Sequence, residues 1–193
     1  MFYERLLHMA IPSNMLPLNS LAPEFDLPDT ISGDQTTLEQ LKGQKGTLII
    51  FMCNHCPYVI HIKEQLIDIA NSYRAKGINT IAISSNDIDN YPEDAPDKMT
   101  ELMAEWDNPF DAYLYDESQQ VAKDYMAACT PDIYLFDEHL ACVYRGRLDG
   151  STPRNDVPLT GEDLRPALEA LVTGRDISSE QIPSMGCGIK WKA

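Results

Sequence analysis

Residues 47–52 read Thr-Leu-Ile-Ile-Phe-Met, an uncharged β-branched and aromatic run of the kind found in strands buried on both faces. The run leads straight into Cys53-Asn54-His55-Cys56-Pro57, after which apolar residues fall at Val59, Ile62, Leu66, Ile69 and Tyr73. Spacings of three and four, with Lys63, Glu64, Gln65 and Asp68 between them, predict an amphipathic helix that Gly77 ends. A second apolar run, Ile78 to Ser84, follows at once. Strand, helix and strand within about 35 residues is the length a parallel crossover needs, so the sheet is at least partly parallel.

The flanking segments extend this unit. Residues 1–20 read as an extended arm that Pro12 and Pro17 keep from becoming helical, and regular structure is expected to begin near Ala22. Ala22 to Asp29 alternates apolar and polar side chains, and Gly33-Asp34 supplies a turn, which predicts an opening β-hairpin. Downstream the pattern predicts a helix from Pro96 to Trp106, a strand at Ala112 to Tyr115 and a helix from Ser118 to Ala127. Two antiparallel strands, Ile133 to Phe136 and Cys142 to Tyr144, should flank the turn Asp137-Glu138-His139, and Gly161 to Val172 should close the chain as a helix. The whole is an α/β sandwich on a mixed central sheet flanked by helices. We divide it into an arm (1–21), one domain (22–175) and a tail (176–193), since 193 residues suit one domain with decoration.

Charge narrows the partners. Thirty Asp plus Glu against 15 Lys plus Arg give a net charge of -15, a field that repels phosphate backbones and anionic membrane surfaces, so neither nucleic acid nor membrane is an expected partner. Much of the acid lies between Asp87 and Asp116 and reads as a solvated helix face. Met1 to Asn14 interrupts its apolar residues with Glu4, Arg5 and His8, unlike a secretory signal, and no run reaches transmembrane length; a cytoplasmic location is expected. In a reducing compartment a close cysteine pair is catalytic or metal-binding rather than structural, and five cysteines, an odd number, agree.

Two cysteines separated by two residues are weak evidence alone, but this pair lies where a buried strand turns into a helix, with Pro57 at the first-turn position that proline tolerates. The unpaired amides and positive dipole end of a helix favour a thiolate there, so Cys53 is expected to be the exposed, attacking sulfur. Cys56, about one turn further in, is expected to resolve the mixed disulfide by closing an intramolecular one. His55 either stabilises the thiolate or is an exposed loop residue; Asn54 and His55 are candidate modulators. Glu24, Asp26 and Asp149 are candidate proton acceptors.

These features resemble the thioredoxin superfamily, and more closely its peroxiredoxin-like and thioredoxin-like redoxin branch (AhpC/TSA-related), from Ala22 to about Thr173. Three marks carry the likeness: Ala22-Pro23-Glu24-Phe25, similar to the opening segment of peroxiredoxins; the dithiol after a central strand; and Thr130-Pro131 before Asp132-Ile133-Tyr134-Leu135-Phe136-Asp137. The resemblance implies a thioredoxin-like fold, a cis Pro131, and a Thr130 whose backbone pairs with a substrate chain. It also implies a thiol–disulfide oxidoreductase without cofactor or metal, acting on protein or small-molecule disulfides and recycled by a thioredoxin-type donor. The departures matter too. Peroxiredoxins place Thr or Ser three residues before the peroxidatic cysteine, where this chain has Ile50, and thioredoxins carry Gly-Pro between the cysteines and a buried Asp in the preceding strand, where this chain has Asn54-His55 and no acid from Thr47 to Met52. Three other readings stay open: a peroxiredoxin-like antioxidant peroxidase in which Cys187 condenses with a sulfenic acid, a metal site on Cys53, Cys56 and His55 or Cys187, and a redox-inactive interaction domain. Cys129, two residues before Pro131, is a modulating thiol or a small core residue, Cys142 is core, and Cys187 in the tail Met185-Gly186-Cys187-Gly188 is a third redox thiol or inert.

Overall fold

The uncharged run forms a central strand, and the computed structural model builds a mixed sheet on it; residues 10–193 are described. The part of the expected arm that covers 1–9, with most of the stretch read as unlike a signal, lies outside the described residues. In chain order the elements are β1 (Ala10–Pro12), β2 (Asp26–Pro28), β3 (Gln35–Thr37), α1 (Leu38–Leu41), β4 (Gly46–Phe51), α2 (Pro57–Arg74) and β5 (Ile78–Ser84). There follow α3 (Pro96–Glu105), β6 (Ala112–Tyr115), α4 (Gln120–Asp124), β7 (Cys129–Thr130), β8 (Asp132–Asp137), β9 (Cys142–Arg145), α5 (Leu164–Thr173) and β10 (Met185–Gly188).

The main sheet has the order β6-β5-β4-β8-β9. β4 runs parallel to β5, β5 parallel to β6, and β8 runs antiparallel to both β4 and β9. Every residue of β4 is buried, as its lack of charge requires. Alternation along the strand sends Leu48, Ile50 and Met52 to the face covered by Val59, Ile62, Leu66 and Ile69 of α2, by Met99 and Met103 of α3 and by Leu164 and Leu168 of α5. Ile49 and Phe51 face the other side, against Leu38, Val121 and Tyr125. This is the thioredoxin-like α/β arrangement, and β2 with β3 forms the predicted antiparallel opening hairpin. No helix among the described residues is long and apolar enough to cross a membrane.

Three expectations need correction. Regular structure begins before Ala22: β1, inside the expected arm, pairs antiparallel with β10, inside the expected tail, and β10 pairs antiparallel with β7. These strands carry no periodic apolar pattern because each is short and held by a partner far along the chain. The predicted helix at Ser118 to Ala127 shrinks to Gln120–Asp124, since Gln119 adopts a left-handed backbone with φ 61° and spends its side-chain amide on the carbonyls of Ser85 and Lys190. The acid between Asp87 and Asp116 is not uniformly a solvated face: Asp87, Asp94 and Asp116 are buried, each accepting hydrogen bonds from loop backbone or side chains.

Candidate functional site

The dithiol sits at the carboxyl end of β4. The Met52 amide still donates to the Ile83 carbonyl at 2.9 Å, continuing the ladder, and the chain then turns through Asn54 and His55 into α2. Pro57 takes the first helical position, where its missing N–H costs nothing, so Cys56 is the N-cap. This shifts the expected geometry: Cys56, not Cys53, lies at the helix tip. Cys53 is also not outward in this state, being 1% exposed against 0% for Cys56 and 2% for Cys187.

Thr130 touches both sulfurs. Its hydroxyl oxygen lies 3.6 Å from Cys53 Sγ, and its carbonyl accepts from Cys56 Sγ at 3.0 Å. The Thr130–Pro131 peptide is cis. The tail completes the enclosure: Cys187 pairs across from Thr130 in the β10–β7 ladder. Cys53, Cys56 and Cys187 are all buried in the same apolar core.

Among these thiols, charge settles on Cys56. Hydrogen bonds from Cys187 and then Cys53 hold the Cys56 thiol well below its ordinary value, outweighing its burial. The same bond to Cys56, followed by burial and the Asp94 carboxylate, pushes the Cys53 thiol up. Cys187 is raised as well, first by Cys56 and then by burial. The neighbouring thiols thus push Cys53 and Cys56 in opposite directions. The Cys56 thiol donates to the Thr130 carbonyl, and the Thr130 hydroxyl faces Cys53.

A loop between β5 and α3 walls the other side. Asp94, fully buried, accepts from the Asn54 backbone amide at 2.8 Å and from Asn86 Nδ2 at 2.8 Å. His55 Nδ1 lies 2.8 Å from Asp94 Oδ2 and 3.8 Å from Glu93 Oε1, with its ring stacked on Tyr91 at 5.7 Å between centroids. Asp94 above all raises the His55 value, against an opposing effect of burial. Asn54 is fixed at both ends of its side chain, donating to the Glu93 carbonyl at 2.9 Å and accepting from the Tyr113 hydroxyl at 3.1 Å.

Asp94 is a residue of the site's wall that sequence reasoning missed. The acid absent from β4 is supplied by a loop 40 residues downstream, and nothing in the local pattern distinguishes it from its acidic neighbours. Donor atoms of Cys53, His55 and Asp94 all lie within 4.8 Å of one another, the arrangement among the described residues best able to offer a cation three ligands. Both Asp94 oxygens already accept hydrogen bonds, from the Asn54 amide and from Asn86.

The other candidates have partners of their own. Cys129 is buried, pushed up by that burial, and donates to the Pro131 carbonyl at 3.6 Å. Cys142 packs on the opposite face of the sheet. Asp149 accepts from the amides of Ser151, Thr160 and Gly161 and holds its own loop, while Glu24 and Asp26 are exposed. Beside Pro131 a cavity of about 130 Å³ is lined by Tyr58, Ile62, Ile133, Leu148 and Met185 of the tail.

Comparison with known proteins adds a family. The model of the AhpC/TSA family matches residues 18–144. An uncharacterized conserved protein of Geobacillus kaustophilus is similar to the chain at 52% identity, with 95% of this chain and 97% of that one covered and a TM-score of 0.92. A hypothetical protein of Sinorhizobium meliloti is 40% identical over 94% of this chain and 98% of its own, with a TM-score of 0.90. The thioredoxin domain of a thiol-disulfide oxidoreductase from Bacteroides vulgatus shares the fold at 20% identity, covering 82% of this chain and 99% of that one with a TM-score of 0.63. No curated protein matches the sequence.

Proposed function

The chain belongs to the AhpC/TSA family, and from that premise we propose that it is a thiol–disulfide oxidoreductase whose working couple is Cys53 and Cys56. One observation carries the reading: Cys53 and Cys56 lie together at the start of α2, where the Thr130 hydroxyl is 3.6 Å from one sulfur and the Thr130 carbonyl accepts from the other at 3.0 Å. That arrangement supplies a nucleophile and a resolver in turn. Once deprotonated, Cys53 attacks a substrate disulfide as the thiolate and forms a mixed disulfide, releasing one substrate thiolate. Cys56 then loses its proton and attacks Cys53 Sγ, closing the Cys53–Cys56 disulfide and releasing the second. The Cys56 proton passes to the departing substrate thiolate, while His55 and Asp94 stand beside Cys53, with donor atoms within 4.8 Å of its sulfur.

Access requires the tail to move, since all three sulfurs are buried and β10 occupies the edge of Thr130 that the family resemblance gives to a substrate chain. Protein or small-molecule disulfides are the substrates this chemistry fits, a thioredoxin-type dithiol in a reducing cytoplasm the donor. The test is insulin reduction together with the potential of the couple in glutathione buffers. Cys53→Ser should abolish turnover, a loss of about a thousandfold or more. Retention of wild-type turnover by that variant would refute the assignment. Stopped-flow peroxide consumption separates this reading from a peroxidase, which predicts rapid Cys53-dependent decay of peroxide.

A further inference from the structure

We propose that Cys187 is a third redox thiol of this site and that Cys56 is shared between two disulfides, Cys53–Cys56 and Cys56–Cys187. The inference rests on the dithiol reading above and extends it to the tail. Its basis is placement. In the β10–β7 ladder Cys187 lies directly across from Thr130, so the two side chains project from the same face of the small sheet. The Thr130 side chain on that face reaches Cys53, and its carbonyl reaches Cys56. Backbone pairing thereby brings Cys187 to the Thr130 strand that meets the dithiol, and all three cysteines are buried in one apolar core where α2 packs against β10.

The pairing is not incidental. Gly186 sits so close to the cis-proline loop that a Cβ there would lie 2.0 Å from the Thr130 carbonyl oxygen. The neighbouring tail is held as well: the Ile189 amide donates to the Ala128 carbonyl at 3.0 Å, the Lys190 amide to Asn86 Oδ1 at 2.8 Å, and the Asp87 amide to the Lys190 carbonyl at 2.9 Å. Cys187 to Lys190 are thus tied to the segments on both sides of the dithiol, Cys187 and Gly188 to β7, Ile189 to Ala128, and Lys190 to Asn86 and Asp87. An inert tail thiol needs none of this.

The step is an exchange without net oxidation. After a substrate disulfide has been reduced, the site holds the Cys53–Cys56 disulfide and a Cys187 thiol. Cys187 loses its proton and attacks Cys56 Sγ; the Cys56–Cys187 bond forms, the Cys53–Cys56 bond breaks, and the bonding electron pair leaves on Cys53 Sγ, which takes up the proton. The two-electron oxidising equivalent moves one sulfur further from the substrate, and the tail strand becomes covalently fixed over the site until an external dithiol reduces it.

The experiment maps disulfides in the full chain after oxidation with diamide, alkylation and trypsin. Cys53 and Cys56 fall together in the peptide 46–63, and Cys187 in 176–190. Wild-type protein should give these two peptides cross-linked. Cys53→Ser should give about tenfold more of that cross-link than Cys56→Ser, because the variant retains both partners of the second disulfide. If wild type yields only the bond inside 46–63 and Cys53→Ser yields no cross-link, Cys187 is outside the cycle while the dithiol reading stands. A cross-link as abundant in Cys56→Ser as in Cys53→Ser would overturn Cys56 as the shared sulfur. No disulfide in any variant would overturn both readings together.

Discussion

The imidazole of His55 is held by a carboxylate it meets only after the chain folds. Asp94, buried and already anchoring the Asn54 amide, lies 2.8 Å from its Nδ1, with Glu93 beyond. A histidine that gains such a partner has a folded value above its ordinary 6.5, so the contact stabilises the protein fully below that value. The contribution is lost as the pH rises through the raised, folded value. Wild type and His55→Gln should therefore differ most in Tm near pH 5.5, and the gap should narrow on the alkaline side, in thermal melts followed by circular dichroism. A gap that stayed constant to pH 9 would show that His55 contributes by stacking on Tyr91 rather than by charge. Asp94 itself illustrates why this part of the site was not legible in the sequence. It stands in an acid-rich segment beside exposed Glu93, and only the close return of the loop to Asn54 and Asn86 sets it apart.

The helix and strands around the dithiol divide into those that announce themselves locally and those that do not. α2 is written in the spacing of Val59, Ile62, Leu66 and Ile69, and β4 in its uncharged run, because each buries a face against many neighbours whatever its exact partner. β10 reads Met-Gly-Cys-Gly and has no such pattern; its identity as a strand depends on Thr130 and Ala10, which lie 57 and 177 residues from Cys187. Sequence reasoning consequently placed Cys187 in a tail, as a third redox thiol or an inert one, without a strand to hold it. The glycine before it now has a reason. In Gly186→Ala the new Cβ meets backbone, which cannot rotate away as a side chain would, and overpacking of this kind costs about 1–3 kcal/mol. Displacing the docked strand by that amount should raise iodoacetamide labelling of the reduced native dithiol by about ten- to a hundredfold. Labelling at the wild-type rate would mean that β10 does not gate the sulfurs.

At the scale of the molecule, the dithiol is enclosed by a chain whose net charge is -15. The acidic surface repels an approaching anion, and the acidic residues Glu93 and Asp94 stand at the wall of the site itself. A cationic disulfide is drawn toward such a surface and an anionic one repelled, an effect on encounter that salt screens over about 10 Å at 0.1 M. Once the tail opens, cystamine should therefore oxidise the reduced protein faster than oxidised glutathione, by about tenfold at low salt after correction for their reactivity toward a small dithiol. Raising the ionic strength to about 0.5 M should bring the two rates together, because a surface field is screened whereas a shaped contact is not. Equal corrected rates at low salt would mean that the enclosure by β10, and not the field of the whole chain, decides which disulfides reach Cys53.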